Sequence, residues 1–104
     1  MKDGIYKRIE ASIQELIDIC SIINADLKLG IPSSKSQIMD ALVNKTIISR
    51  EMGNKLKRMK AFRNFLVHRY GRIDDKIAFK TIKKGLSDFQ EFRQEVLTFL
   101  NERT

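Results

Sequence analysis

Residues 5–27 of this 104-residue chain, IYKRIEASIQELIDICSIINADL, decide the fold class. An apolar side chain recurs every three or four residues along the stretch, at Ile5, Ile9, Ile13, Leu16, Cys20, Ile23 and Leu27. This spacing predicts an amphipathic α-helix of roughly seven turns. Three further isoleucines widen its apolar face, at Ile17, Ile19 and Ile22. Because the face is so broad, we expect the helix to contact more than one neighbour, including a second subunit.

Turn and capping residues set the end of this helix and the start of the next. Gly30 stands where a helix commonly ends in a left-handed residue, and Pro32 follows it. Ser34 and Gln37 match a capping box, which predicts a short helix over residues 35–44. That helix is expected to bury Ile38 and Leu42, with Met39 beside Ile38.

Two more helices are predicted between the turn at 44–46 and the C-terminus. Ser49 is expected to cap a third helix that ends or bends at Gly71, and Asp74 a fourth that runs close to the C-terminus. The third helix is expected to bury Met52, Leu56, Met59, Phe62, Phe65 and Leu66. The core face of the fourth is expected to comprise Ile82, Leu86, Phe89, Val96 and Leu100, broadened by Ile77, Phe79, Phe92 and Phe99.

These patterns predict an all-α fold, an antiparallel four-helix bundle that forms a single domain over residues 1–104. A composition of 42% hydrophobic and 32% charged residues is typical of a globular chain. A monomer of this size would leave part of the apolar surface of the first and fourth helices uncovered, which predicts a homodimer.

The charge balance favours a polyanionic partner. Lysine and arginine outnumber aspartate and glutamate by 20 to 13, which gives a net charge of +7. Such a surplus suits nucleic acid, an acidic protein or an acidic membrane, and a merely solvated basic surface gives the same balance.

Other classes of site and location are disfavoured. One cysteine, Cys20, and one histidine, His68, allow neither an internal disulfide nor a zinc cluster, so no metal and no cofactor is expected. Cys20 is predicted to be a small buried apolar residue. A signal-peptide pattern and an apolar run of about 20 residues are both missing, so the expected location is the cytoplasm, away from any membrane.

Polar side chains gather at the end of the predicted third helix. Asn64 and His68 are four residues apart and share one face, while Arg63 and Tyr70 are seven apart and roughly stacked. Arginine binds a phosphate through parallel donors, and histidine acts as general acid or base near neutral pH. The set suits metal-free RNA cleavage, for which a two-fold dimer would supply two of each group. A lone histidine near a helix end also commonly caps carbonyls, and spacing alone leaves both interpretations open.

The segment 63–70, followed by Ile73 and Asp74, resembles the R-x-x-x-x-H-x-Y signature of the HepT-like toxins in the HEPN superfamily. The likeness extends upstream through residues 17–19, 29–32 and 59–64, and it covers roughly residues 10–95. The resemblance implies a helical bundle that dimerises and cleaves RNA without metal. Such chains usually carry another helix before the segment that begins here near Ile5, so this domain is expected to lack that helix.

The resemblance also implies roles for individual residues. Arg63 and His68 would be catalytic, with Arg63 on the scissile phosphate and His68 as general acid and base. Asn64 would orient the phosphate or His68. Tyr70 would be the residue to which a partner minimal nucleotidyltransferase, the MNT-type antitoxin, attaches AMP. Asp18 matches an acidic position on the first helix and would support the site, or else serve solubility or a structural ion pair.

Two functions follow from this. The first is a metal-independent ribonuclease toxin of a type VII HEPN/MNT toxin–antitoxin system, in which Lys57, Lys60 and Arg69 would assist RNA binding. The alternative is a non-catalytic HEPN module that binds a nucleotide or docks a nucleotidyltransferase. A purely structural helical dimer would not need the polar cluster, and the basic run around Lys57 would then be only a solvated face.

Overall fold

The computed structural model describes residues 2–68 and 74–103, and every regular element in these ranges is a helix, as predicted. The helices are α1 (Lys2–Asp26), α2 (Lys35–Asn44), α3 (Arg50–His68) and α4 (Asp75–Arg103). α3 packs against each of the other three, and α1 also packs against α2. The result is an antiparallel four-helix bundle in which α3 is the shared neighbour.

The predicted caps are confirmed at the starts of α2, α3 and α4. The Ser34 hydroxyl accepts the Gln37 N–H at 3.2 Å, and the Ser49 hydroxyl accepts the Met52 N–H at 3.0 Å. A carboxylate oxygen of Asp74 accepts two N–H groups of the first turn of α4. The capping box of α2 differs in one arm, because the Gln37 side chain accepts the N–H of Ser33 rather than that of Ser34. These bonds satisfy N–H groups that a helix start leaves unpaired.

α1 ends on a different residue from the predicted one. Lys28, not Gly30, is the first left-handed residue (φ 54°), and the Leu29 N–H reaches back to the Asn24 carbonyl at 3.0 Å. This is a Schellman ending, in which the apolar residue after the left-handed one packs onto the core. Leu29 does pack there, so its burial sets the end of the helix. Gly30 also has a positive φ, 118°, and its carbonyl accepts the Asn24 side-chain amide.

The main core lies between α1, α2 and α3, and α4 covers it with Phe92. Thirteen buried residues form it: Ile13, Leu16, Ile17, Cys20, Ile38, Met39, Leu42, Ile47, Ile48, Met52, Leu56, Met59 and Phe92. A second, smaller cluster joins Tyr6, Leu66 and Ala78 where α1 and α4 begin and α3 ends. Cys20 is fully buried as predicted, and burial raises the pKa of its thiol to about 12, so the thiol stays protonated at neutral pH.

The predicted apolar faces are wrong at several positions. Leu86 and Leu100 on α4 are 58% and 50% exposed, and Phe65 on α3 is 42% exposed. Other apolar residues expected in or beside the core are also exposed: Ile5, Ile19, Ile22, Ile77 and Phe79. Ile82, Phe89 and Val96 of α4 do pack inward as predicted, together with Ala78, Phe92 and Phe99. Since α4 is apolar on several sides, periodicity could not show where this inward face ends.

A charged network at the edge of the buried face of α4 helps to fix the orientation of this helix. The Lys55 ammonium of α3 lies 2.7 Å from the Glu91 carboxylate and 3.5 Å from that of Asp88, which is only 7% exposed. The hydrogen bond to Glu91 raises the pKa of Lys55 above its ordinary value, partial desolvation opposes the rise, and Glu51 and Asp88 add to it. Burying Asp88 without this cation would be costly, so the network fixes which side of α4 meets α3.

Lys55→Met should therefore destabilise the bundle more than Lys57→Met does. The control removes an exposed pair, Lys57 with Asp40 at 2.6 Å, whose contribution is about 1 kcal/mol or less. Because the folded-state pKa of Lys55 is raised, its stabilisation is full at neutral pH and is lost only in strongly alkaline solution. Thermal unfolding of both variants at pH 7 measures the difference, and equal losses of Tm would contradict this role for Lys55.

Gly53 lies at a close contact between α2 and α3. A Cβ placed on Gly53 would lie 2.5 Å from Cγ2 of Val43, well inside van der Waals contact. The missing side chain at Gly53 therefore makes room for the neighbouring helix.

We expect Gly53→Ala to destabilise the protein, with an overpacking cost of about 1–3 kcal/mol that outweighs the gain in helix propensity of about 1 kcal/mol. Combining it with Val43→Ala removes the colliding methyl groups. Urea unfolding of the single and double variants should show a favourable coupling between the two changes. Simple additivity would show that the two side chains do not meet.

Candidate functional site

The last two turns of α3 carry the predicted polar residues. Asn64 is half-buried, and His68, the last residue of α3, is exposed. They are one turn apart and share a face, as expected from their spacing. His68 therefore presents its imidazole to solvent rather than filling the core, and a substrate can reach it.

Arg63 is half-buried and held by its neighbour. Its Nη1 donates to the Asn64 side-chain oxygen at 3.3 Å, and its Nε is buried with no hydrogen-bond partner among the residues described. Buried donors in proteins are nearly always paired, so this Nε is an exception among the described residues. The rigid planar fork of arginine matches a phosphate oxygen pair.

Arg63 and His68 do not converge within one copy of α3. Five residues along a helix correspond to a rotation of roughly 140° and a rise of about 7.5 Å. The two side chains therefore point to different sides of the helix, and Arg63 is the more buried of the two. A single phosphate could meet both groups most simply if one of them came from a second copy of the helix.

A contact network that the sequence did not predict fixes the end of α3. The Tyr6 hydroxyl of α1 donates a hydrogen bond to the Asp75 carboxylate of α4. The same side chain is buried beside Leu66 of α3 and Ala78 of α4. Tyr6 thus joins the three helices at the point where His68 ends α3. Tyr6 and Asp75 are 69 residues apart, so no local sequence pattern could have paired them.

The remaining predicted residues lie elsewhere or beyond the described ranges. Tyr70 and Arg69 fall in residues 69–73, outside the described residues. Asp18 is exposed on α1, accepts a hydrogen bond from Gln14 at 2.9 Å, and lies about 18 Å along the helix from Tyr6. Lys57 is paired with Asp40, and Lys60 is half-buried. One chain thus brings Arg63, Asn64 and His68 to one helix end, and it does not bring Asp18 there.

The part of the chain that the structure describes contains neither a metal-binding cluster nor a membrane-spanning helix. Residues 2–68 and 74–103 hold no group of three histidine, cysteine or carboxylate side chains placed to bind a metal ion. No helix in these ranges combines the length and the hydrophobicity that a transmembrane span requires.

The fold and the helix-end cluster together define a class: a small helical bundle that presents arginine, asparagine and histidine on the last turns of one helix. A family model described as ribonuclease HepT-like matches residues 1–96. The chain belongs to the ribonuclease HepT-like family, as the resemblance of its motif predicted.

Similar proteins agree with this assignment. The chain is 28% identical over 92 residues to the mRNA nuclease HepT of Shewanella oneidensis, which covers 88% of this chain and 69% of that protein. It is also 28% identical over 93 residues to a putative RNase of Archaeoglobus fulgidus, covering 89% and 70%. A solved structure of the tri-AMPylated Shewanella oneidensis HEPN toxin, in complex with an MNT antitoxin, superimposes with a TM-score of 0.83. That match has 27% identity and covers 93% of this chain and 73% of the toxin chain.

Proposed function

We propose that this protein is the metal-independent ribonuclease toxin of a HEPN/MNT toxin–antitoxin pair. The observation that carries the proposal is the end of α3. There an Arg63 guanidinium, whose buried Nε has no partner among the described residues, precedes an exposed His68 by little more than one turn. Family membership supports an RNA-cleaving chemistry for these groups.

The proposed reaction uses the 2′-hydroxyl of RNA as nucleophile. His68 accepts the proton of that hydroxyl while its oxygen attacks the adjacent phosphorus, and the imidazolium so formed donates its proton to the 5′-oxygen that leaves. Arg63 stabilises the negative charge that builds on the pentacoordinate phosphorus. Asn64 holds Arg63 through the 3.3 Å contact and so orients it for the phosphate. An RNA with a single 2′-deoxy residue at the cleaved position should resist cleavage.

A homodimer completes this site in the proposal. The divergence of Arg63 and His68 around α3 means that two copies, related by a two-fold axis, can direct one group each at a shared phosphate. Phe65 lies between Arg63 and His68 along α3 and is 42% exposed. An apolar surface for contact with a second protomer is therefore next to the polar residues. Exposed apolar side chains on α1 and α4, which include Ile19, Leu86 and Leu97, add to the surface that a monomer leaves uncovered.

Removing either catalytic group should reduce cleavage of RNA by about 10²–10⁴-fold, the usual contribution of a general acid–base group or a charge-stabilising donor. The variants are His68→Ala and Arg63→Ala, and Arg58→Ala is the matched control because it removes an exposed arginine from the same helix. Cleavage is measured with EDTA present, by gel analysis of a labelled oligoribonucleotide. If the two site variants cleave as fast as Arg58→Ala, the assigned roles are wrong, and a docking module without catalysis becomes the better interpretation.

Mixing the two inactive variants tests the composite site. In a heterodimer of Arg63→Ala with His68→Ala, one of the two sites contains both mutations and the other retains Arg63 from one protomer and His68 from its partner. Unfolding and refolding the mixture should therefore restore about a quarter of the wild-type rate, since half of the dimers are hybrid and each has one intact site. A mixture as inactive as its components, despite a dimeric mass, would place both groups in one protomer.

Tyr70 is proposed as the residue that the antitoxin modifies. Adding AMP two residues after His68 would place a bulky anion where the RNA phosphate binds, and so block the site by charge and volume. The chain has only two tyrosines, and Tyr6 is buried and hydrogen-bonded.

Incubation with its nucleotidyltransferase and ATP should therefore add AMP to the wild type and not to Tyr70→Phe, as measured by intact mass. Tyr6→Phe is the control and should still be modified. AMP addition to Tyr70→Phe at the wild-type level would assign the modification to another residue.

A further inference from the structure

Positive charge is concentrated on the first half of α4. Residues 75–84 hold one carboxylate and four lysines, here called the lysine ridge: Lys76, Lys80, Lys83 and Lys84. The second half of the helix is different, because residues 85–102 hold one cation, Arg93, and four carboxylates. One helix is thus divided into a basic half and a mainly acidic half.

The lysine ridge faces away from the bundle. At about 100° per residue, its four side chains fall within an arc of roughly 100° and along about 12 Å of the helix axis. All four are exposed, while Ala78 and Ile82, on the opposite side of the same turns, pack into the second cluster. The ridge is therefore a continuous line of ammonium groups on the surface.

These ammonium groups are not neutralised by the described parts of the chain. Lys55 and Lys57 on α3 form ion pairs, but no carboxylate in residues 4–68 or 74–102 pairs with a lysine of the ridge. The two nearest carboxylates in sequence are occupied: Asp74 caps α4, and Asp75 accepts the Tyr6 hydroxyl. The ridge consequently keeps its charge for an external anion, whereas Lys57, which the sequence suggested for RNA, is already paired.

Apolar side chains border the ridge on both sides. Ile77 and Phe79 are 63% and 47% exposed, and they line a surface hollow together with Lys76, Lys80 and Lys83. An aromatic ring beside a row of cations is the combination that binds single-stranded nucleic acid, because bases stack on the ring while phosphates contact the cations. A membrane surface would require a broad apolar face on the same side of the helix as the cations, whereas one exposed apolar residue borders the ridge on each side, Ile77 and Phe79.

The lysine ridge begins beside the proposed site. Tyr6 packs against Leu66 at the end of α3 and hydrogen-bonds Asp75 at the start of α4. The first turn of α4, which carries Lys76, is therefore adjacent to the turn of α3 that carries His68. A strand that lies along the ridge runs towards or away from that helix end.

We propose that the lysine ridge and Phe79 form the docking surface for single-stranded RNA. This surface would guide the RNA backbone to the end of α3. The proposal deepens the ribonuclease function and rests on it for the direction of the strand, but binding itself can be tested without cleavage. It places RNA recognition on α4, in contrast to the sequence-based expectation of Lys57 and Lys60 on α3.

The test measures binding of a fluorescent single-stranded oligonucleotide with 2′-O-methyl sugars, which has no free 2′-hydroxyl to react. The ridge variant is Lys76→Gln/Lys80→Gln/Lys83→Gln in the full chain. The control, Lys28→Gln/Lys35→Gln/Lys45→Gln, has the same change of charge on three exposed lysines. Two of these lie at the opposite end of the bundle, in a hollow that Phe99 also lines.

The ridge variant should bind roughly tenfold or more weakly at low salt. The slope of log Kd against log salt should fall by about 2, because each phosphate that the protein no longer neutralises lowers it by about 0.7. The control should keep the wild-type slope. Phe79→Leu, which keeps apolar volume but has no flat ring, should weaken binding several-fold with no change of slope.

Two results would overturn the proposal: equal affinity and slope for the ridge and control variants, or ridge-dependent binding to vesicles with anionic lipids but not to the oligonucleotide. Failure of the ribonuclease function is recognised separately. If the wild type binds through the ridge but leaves RNA with free 2′-hydroxyls intact, the ribonuclease proposal is wrong and the docking surface stands. If the wild type cleaves RNA but the ridge and control variants bind the oligonucleotide equally well, only the docking proposal is wrong.

Discussion

The packing of α3 against the other three helices is the constraint on which the rest of the structure depends. Its inner side supplies Met52, Leu56 and Met59 to the core that α1 and α2 share. Its flank holds α4 through Lys55, and its last turns hold the polar cluster. The same helix therefore carries core residues, the lysine that binds α4 and the proposed site. As a result, the position of His68 is set by contacts distributed along the whole helix.

α4 shows how electrostatics decides an orientation that hydrophobicity leaves open. Apolar residues occur on several sides of this helix, so burial alone would favour more than one rotation about its axis. Placing Asp88 inward next to Lys55 selects one of these, because the wrong rotation would bury a carboxylate without a cation or a cation without a carboxylate. The same choice sends Leu86 and Leu100 to the surface and turns the lysine ridge away from the bundle.

The end of the bundle where α1 and α4 begin combines three kinds of group with different physical roles. Tyr6 and Asp75 join the helices, Arg63 and His68 are proposed to act on a phosphate, and the lysine ridge provides positive charge that no described carboxylate neutralises. The net charge of +7 indicated a polyanionic partner but not its position, since paired and unpaired cations count equally in a sequence. Within the described ranges the structure separates them: Lys55 and Lys57 of α3 neutralise carboxylates, and the ridge lysines of α4 do not.

The sequence by itself determined the helices, their caps and the family, because these depend on local spacing: an apolar residue every three or four positions, a serine or aspartate before each of the last three helices, and the motif at 63–70. It also placed Asn64 and His68 on one face, since both lie within about one turn. Tertiary structure alone decided that Phe65 is exposed, that Leu29 sets the end of α1, that Gly53 admits Val43, and that Tyr6 meets Asp75. Each of these depends on which helices become neighbours, a property of the packed bundle that no periodicity within one segment contains.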